Sequence, residues 1–372
     1  MADIKLKDIY KRFNDFTAVS NLNLEIRDKE FLVLLGPSGC GKTTTLRMIS
    51  GLELPSEGQI ILDGEDVTKK RASQRDIAFM FQLFALYPHL TAYQNIAFPL
   101  KTQGENKSFI DEEVKRIANL LQIEHVLKRK PKQLSGGDMQ RVALGRCLIR
   151  KPKALLLDEP IGTLDAKFRE EMWSELKKLH VDSGSTSVYV THDQMEAMSM
   201  GDRIAVMDKA VLQQVGEPFE VYSNPRNLFV AKFIGSPGMN FLDMQVVSDG
   251  GSISLNFTGD GTRIFISESL QDGIKRRYKE GRKLVLGIRP EDLTLEPSDA
   301  VNSFHGRIYV VENMGNHKIV DIELAGGTTL RVRVPPKVKT EIGDNVAITF
   351  NMEMVRLFDS EDGESIVYQE HS

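Results

Sequence analysis

From residue 4 to about residue 235, short apolar runs alternate with stretches of helical spacing. Ile4 to Ile9 alternates apolar and polar positions, the pattern of a half-buried strand. Phe31 to Leu35 is a continuous apolar run, and Ile77 to Phe81 and Ala154 to Leu157 are two more. Such runs suit strands covered on both faces, as in a parallel sheet. Between them the spacing predicts helices over 43–49, 111–121 and 138–149. Strands alternating with helices indicate an α/β architecture.

The texture changes after Gly235-Ser236-Pro237-Gly238, a composition that marks a turn or linker. Beyond it, short runs rich in Val, Ile and Phe are separated by Gly, Asp and Asn. They lie at Ile264 to Ile266, Leu284 to Leu286, Arg307 to Val311, Leu330 to Val334 and Val346 to Phe350. This spacing predicts a smaller all-β region of barrel type. The chain therefore divides into an α/β domain over 1–235 and a β-rich domain over 236–372.

Composition narrows the class. The 372 residues are 41% hydrophobic and 27% charged, so long disorder is not expected. The net charge of −4 is no footprint for nucleic acid. No apolar run exceeds five residues, against the roughly 20 needed to span a bilayer. Two cysteines, Cys40 and Cys147, are too few for a disulfide framework, and the chain reads as cytosolic and reduced.

Gly36-Pro37-Ser38-Gly39-Cys40-Gly41-Lys42-Thr43 fits the phosphate-loop pattern G-x-x-x-x-G-K-[ST] between an expected strand and an expected helix. Its glycines let backbone N–H groups converge on phosphate oxygens, and the helix N-terminus adds partial positive charge. Lys42 is expected to reach the β- and γ-phosphates of a nucleotide, and the Thr43 hydroxyl to bind Mg²⁺. Ala154 to Leu157 ends in Asp158-Glu159. Beside a phosphate loop, Asp158 is expected to hold Mg²⁺ and Glu159 to act as general base on water.

Leu134-Ser135-Gly136-Gly137-Asp138 opens the helical stretch over 138–149 and offers a second helix N-terminus suited to an anion. With the phosphate loop and Asp158-Glu159, this string resembles the ATPase subunit of an ABC transporter, in the carbohydrate-importer branch. The resemblance spans nearly the whole chain. It implies a P-loop ATPase domain followed by OB-like, TOBE-type barrels, including Gly287 to Asp292.

Several roles follow from the resemblance alone. Phe13 matches the aromatic that stacks on adenine, and Thr44 joins the residues that bind ATP. Gln82 matches the glutamine that senses Mg²⁺ and the attacking water. His192 matches the switch histidine at the γ-phosphate. Ser135, Gly136, Gly137 and Asp138 would complete the site of a second ATPase chain packed head to tail, and Asp165 would relay across that dimer. The resemblance also implies two membrane permease subunits, contacted through Leu83, Phe84, Tyr87 and Pro88, and indirectly an extracytoplasmic solute-binding protein. It places the chain at the cytoplasmic face of the membrane, powering import of a carbohydrate, polyol or glycerol-phosphate-type solute, with no nucleic-acid partner.

Two departures stand out. Asp138 replaces the usual Gln, and Ile161-Gly162-Thr163-Leu164-Asp165 replaces the usual Leu-Ser-Asn-Leu-Asp. Both fall on cross-dimer elements. The partner ATPase is accordingly expected to be either a second copy or a non-identical chain with compensating residues.

Overall fold

A computed structural model describes residues 3–81, 85–161, 166–249, 252–277, 281–296 and 302–366. The chain forms two compact units, Met1–Phe219 and Glu220–Ser372.

Among the described residues the first unit holds two sheets. Strands β1 (Ile4–Phe13), β2 (Phe16–Ile26), β4 (Glu57–Leu62) and β5 (Glu65–Asp66) form an antiparallel sheet in the order β2-β1-β4-β5. The other sheet contains β3 (Phe31–Leu35), β6 (Ile77–Met80), β7 (Ala154–Asp158), β8 (Thr186–Thr191), β9 (Arg203–Asp208) and β10 (Val211–Gly216), in the order β10-β9-β3-β8-β7-β6. All neighbours in it are parallel except β10, which turns back along β9. β3, β7 and β8 are buried along their full lengths. For β3 and β7 this explains the continuous apolar runs. β8 carries two buried polar residues at its start. Ser187 Oγ lies 2.9 Å from His180 Nδ1, and Thr186 Oγ1 accepts from the Lys29 backbone. Those polar positions hide β8 from an apolar-run reading.

The two sheets share one core. Ile4, Leu6 and Ile9 of β1 pack in the same cluster as Leu32 and Leu34 of β3, with Leu46, Met48 and Ile49 of helix α1 (Lys42–Ser50). β1 runs on to Phe13, past the expected alternation, because β2 pairs with it up to Phe13–Phe16.

Three helices form a separate layer: α2 (Ala92–Thr102), α3 (Lys107–Leu120) and α4 (Gly136–Leu148). Thr91, Asn106 and Ser135 cap their N-termini by accepting from the backbone N–H three positions on. α3 starts before the expected 111 because Asn106 captures the Phe109 N–H. Gly145 lets α4 approach closely. A Cβ there would lie 3.0 Å from Ile117, 3.1 Å from Leu121 and 3.3 Å from Ile96. Helix α5 (Ala166–Ser183) and α6 (Gln194–Met200) flank β8 in sequence.

Among the described residues the second unit forms two five-stranded antiparallel sheets. Their apolar faces share a core that includes Leu242, Leu255, Leu284, Phe304, Ile322, Val332 and Ile348. One helix, Glu268–Arg277, interrupts the expected run of strands, with Leu270 and Ile274 buried one turn apart. The unit begins before Gly235. Arg289, buried, donates to the carbonyls of Tyr222 at 2.6 Å, Ala231 at 3.2 Å and Ile234, and its guanidinium lies 4.0 Å from the Tyr222 ring centroid. Ala231 also packs with Met239, Val285 and Phe358. Residues 220–235 thus fold with the β-rich unit, although the linker composition falls at 235–238.

Candidate nucleotide site

The strand order assembles the site in the first unit. β8 lies between β3 and β7, all three parallel. Leu35 is in register with Thr191, and Asp158 with Val190. The segments starting at Gly36, Glu159 and His192 therefore leave the same sheet edge side by side. The crevice beyond the carboxyl ends of such strands is where open α/β sheets bind ligands.

The phosphate loop joins β3 to α1 as its spacing predicts. Gly41 takes φ +110°, and a Cβ there would meet the Ala18 carbonyl at 2.4 Å, so only glycine fits. The buried Lys42 ammonium donates to the carbonyls of Gly36 and Pro37, both at 2.8 Å. A buried cation held by neutral carbonyl dipoles has charge to offer an entering anion. The buried Cys40 thiol lies 3.8 Å from the same ammonium, and burial pushes its pKa up.

The Thr43 hydroxyl donates to Asp158 Oδ1 at 2.9 Å. Burial pushes the Asp158 carboxyl above its ordinary range, against the pull of the Thr43 hydroxyl. A hydroxyl and a buried carboxylate in contact at the mouth of a phosphate loop suit Mg²⁺. That ion is commonly held through one or two carboxylates and completes its shell with phosphates, other polar oxygens and water.

Glu159, the next residue, takes φ +44°, a left-handed conformation costly for a side-chain-bearing residue. Its N–H donates to the Val190 carbonyl at 3.0 Å, which fixes the turn. Glu159 Oε1 lies 3.2 Å from His192 Nδ1, and the imidazole is 58% exposed. The turn bearing His192 is anchored from below. Buried Glu196 accepts from the Tyr189 hydroxyl at 2.9 Å and the Thr191 hydroxyl at 2.5 Å, and Thr191 Oγ1 in turn accepts from the Asp193 N–H at 2.9 Å. Burial raises the Glu196 pKa against both hydroxyl bonds. Glu196 escapes a motif reading; its spacing from His192 across the start of α6 is the only signal in the sequence.

Ser135 caps α4, outside the bonds described so far. Its Oγ donates to Asp138 Oδ2 at 2.7 Å and accepts from the Asp138 N–H at 3.1 Å. Phe13 stands at the end of β1, 43% exposed, with Lys11 Nζ 4.6 Å from its ring centroid. Gln82, Leu83, Phe84 and Asp165 lie outside the described residues. The segment just after them is held on two sides. The Arg146 guanidinium of α4 donates to the Ala85 carbonyl at 2.8 Å and lies 5.5 Å from the Tyr87 ring. Buried Asn95 of α2 accepts from the Tyr87 N–H at 2.8 Å and donates to the carbonyls of Tyr87, Leu90 and Thr91.

One further residue supports α1 from behind. Arg75, 1% exposed, donates to the carbonyls of Met48 at 2.6 Å and Ile49 at 2.9 Å, and to those of Thr68 and Lys70. A cation at the last turn of α1 complements the helix dipole whose other end forms the phosphate loop.

Fold and site together define a P-loop nucleotide-binding ATPase. A family model described as ABC transporter matches residues 19–162, one described as MalK OB fold domain matches 235–293, and one described as TOBE domain matches 286–358. The trehalose/maltose import ATP-binding protein of Thermococcus litoralis is 46% identical, covering 98% of this chain and 100% of the relative. The osmoprotective compounds uptake ATP-binding protein of Synechocystis is 45% identical over 97% and 98% of the two chains. The xylose/arabinose import ATP-binding protein of Haloferax volcanii is 42% identical over 100% and 97%. A dimeric ATP-binding cassette solved in a post-hydrolysis state with ADP and Pi superposes with a TM-score of 0.53 at 34% identity, covering 58% of this chain and 98% of that one. The chain belongs to the MalK-like ATP-binding proteins of ABC transporters. It is a transport ATPase. Among the described residues no helix is long and apolar enough to cross a membrane.

Proposed function

We propose that this chain powers a sugar importer by closing head to tail with a second ATPase chain around Mg·ATP and reopening after hydrolysis. The observation that carries the reading is the convergence of the phosphate loop, Asp158-Glu159 and His192 at one sheet edge, with Thr43 bonded to Asp158 and Glu159 beside His192.

The described residues take roles that their surroundings support, and Gln82 and Asp165 keep the roles that the resemblance implies. The N–H groups over Gly36 to Thr44 and the Lys42 ammonium bind the triphosphate, and half-exposed Phe13 offers a face to the base. Thr43 and Asp158, with Gln82, would hold magnesium, which would supply neutralisation of the phosphate charge. Glu159 accepts a proton from water as the oxygen attacks the γ-phosphorus and the bond to the ADP oxygen breaks. His192 steadies Glu159 and the γ-phosphate. Ser135, Gly136, Gly137 and Asp138 meet the nucleotide of the partner chain, and Asp165 relays across the seam.

The ATPase partner is a second copy or a related chain. Two membrane permeases dock near Leu83, Phe84, Tyr87 and Pro88, and an extracytoplasmic binding protein delivers the solute. The chain then sits peripherally on the cytoplasmic face. Relatives named for import of trehalose, maltose, xylose and arabinose favour a carbohydrate, with polyols and glycerol phosphates in the same chemical range.

Glu159→Gln tests the reading. It should bind ATP, hydrolyse it at least about 100-fold more slowly, and sediment as a dimer only with ATP. A monomer at saturating ATP would overturn the head-to-tail arrangement.

A further inference from the structure

Ser135 and Asp138 form a closed pair at the start of α4. The Ser135 hydroxyl donates its single hydrogen bond to Asp138 Oδ2 at 2.7 Å, and its oxygen accepts from the Asp138 N–H at 3.1 Å. The same Oδ2 lies 3.4 Å from the Ser135 N–H. The carboxylate thereby takes up the hydroxyl donor, one free N–H, and the partial positive charge of the helix N-terminus. Each of these would otherwise help to attract a phosphate. A full negative charge against roughly half a positive one leaves this helix end net negative.

We propose that Asp138 is a positioning residue that holds the Ser135 hydroxyl away from the dimer seam and sets how much ATP is needed to close it. The inference rests on the head-to-tail reading above. To meet a γ-phosphate of the partner chain, the Ser135 hydroxyl must leave the carboxylate and turn outward, and Asp138 must move its charge from the triphosphate. Both steps oppose closure until ATP is abundant. A neutral side chain at 138 retains a helix-capping group without the repulsion, whereas Glu retains the charge. Repulsion between partly exposed charges weakens as salt shortens the Debye length from about 14 Å at 50 mM to about 4 Å at 500 mM.

The test uses the full chain carrying Glu159→Gln, so that ATP is bound and not consumed. The half-dimerising ATP concentration is measured by sedimentation velocity at 50 and 500 mM NaCl for Asp138, Asp138→Asn, Asp138→Gln and Asp138→Glu. Thermal melts report folding of each variant. Asn and Gln should lower that concentration about tenfold or more at 50 mM, the gap should narrow at 500 mM, and Glu should behave as Asp. In hydrolysing chains the same change should appear in KM for ATP rather than in kcat. If all four chains dimerise at one ATP concentration at both salts, the proposal is wrong while the head-to-tail reading stands. If every chain binds ATP and none dimerises, that reading fails and takes the proposal with it.

Discussion

Thr43 donates its hydroxyl to Asp158 Oδ1 at 2.9 Å, a bond between residues 115 positions apart that ties the first turn of α1 to the end of β7. Both groups face the place where phosphates would meet the loop. Thr43→Val keeps the shape and removes the donor. Its expected cost to stability is about 1 kcal/mol, the worth of one hydrogen bond. Its expected cost to Mg²⁺-dependent ATP turnover is 100-fold or more, read as a rightward shift in a magnesium titration of the ATPase. Unchanged magnesium dependence would remove Thr43 from the metal site.

Glu196 predicts a pH effect with a definite sign. Burial raises its pKa above the ordinary 4.5, so the folded chain holds this proton more tightly than the unfolded one. Its contribution is complete below pH 4.5 and is lost as pH rises through the folded pKa. Glu196→Gln has no proton to lose. Its melting temperature relative to the parent should climb as pH rises from 4.5, by differential scanning fluorimetry. A constant offset across that range would contradict the sign. Turnover should also fall, because Glu196 anchors the Thr191 hydroxyl beneath His192.

Arg75 predicts a structural loss that reaches the nucleotide. Arg75→Met removes a buried cation and leaves the carbonyls of Met48, Ile49, Thr68 and Lys70 short of a donor. Urea unfolding should show about 3 kcal/mol or more of destabilisation. Below the unfolding transition, ATP affinity should weaken, since the anchored last turn of α1 holds the phosphate loop at the other end. Unaltered stability would show that water satisfies those carbonyls.

Arg146 and Tyr87 predict a separation between nucleotide chemistry and membrane docking. Arg146→Met breaks the bond to the Ala85 carbonyl, and Tyr87→Asp puts a carboxylate in place of a ring whose centroid lies 4.7 Å from that of Phe98. Both variants should bind ATP as the parent does. Tyr87→Asp should be lost from membranes in co-sedimentation with the permeases, and Arg146→Met should keep basal ATPase but lose its stimulation by transported solute. Full membrane retention of Tyr87→Asp would move the docking surface elsewhere.

Much of the candidate site was legible because its chemistry is contiguous. The phosphate loop, Asp158-Glu159 and the Leu134 to Asp138 string each lie within a few residues, where glycine geometry, a buried strand end or a helix start dictates the residue type. The α/β pattern was legible in β3 and β7 because burial on both faces forces an unbroken apolar run. Arg75, Asn95, Arg146 and Glu196 were not legible. Each acts on backbone carbonyls, backbone amides or hydroxyls that any sequence offers, so no motif marks it, and Glu196 alone has even a spacing, from His192, to hint at its place.

By itself the sequence located β1, β3, β6 and β7 and the helices α1, α3 and α4 of the first unit, the phosphate-loop and Asp158-Glu159 motifs and the β-rich character of the second half, since these follow from local sterics and from the period of apolar positions. Only the tertiary structure decided that β8 sits between β3 and β7, which sets His192 beside Glu159. It alone placed Arg75 at the carbonyl end of α1 and gathered residues 220–235 around Arg289. These outcomes depend on contacts between distant segments. Such contacts are fixed by which buried faces and polar partners satisfy one another, and no local window of the chain contains that information.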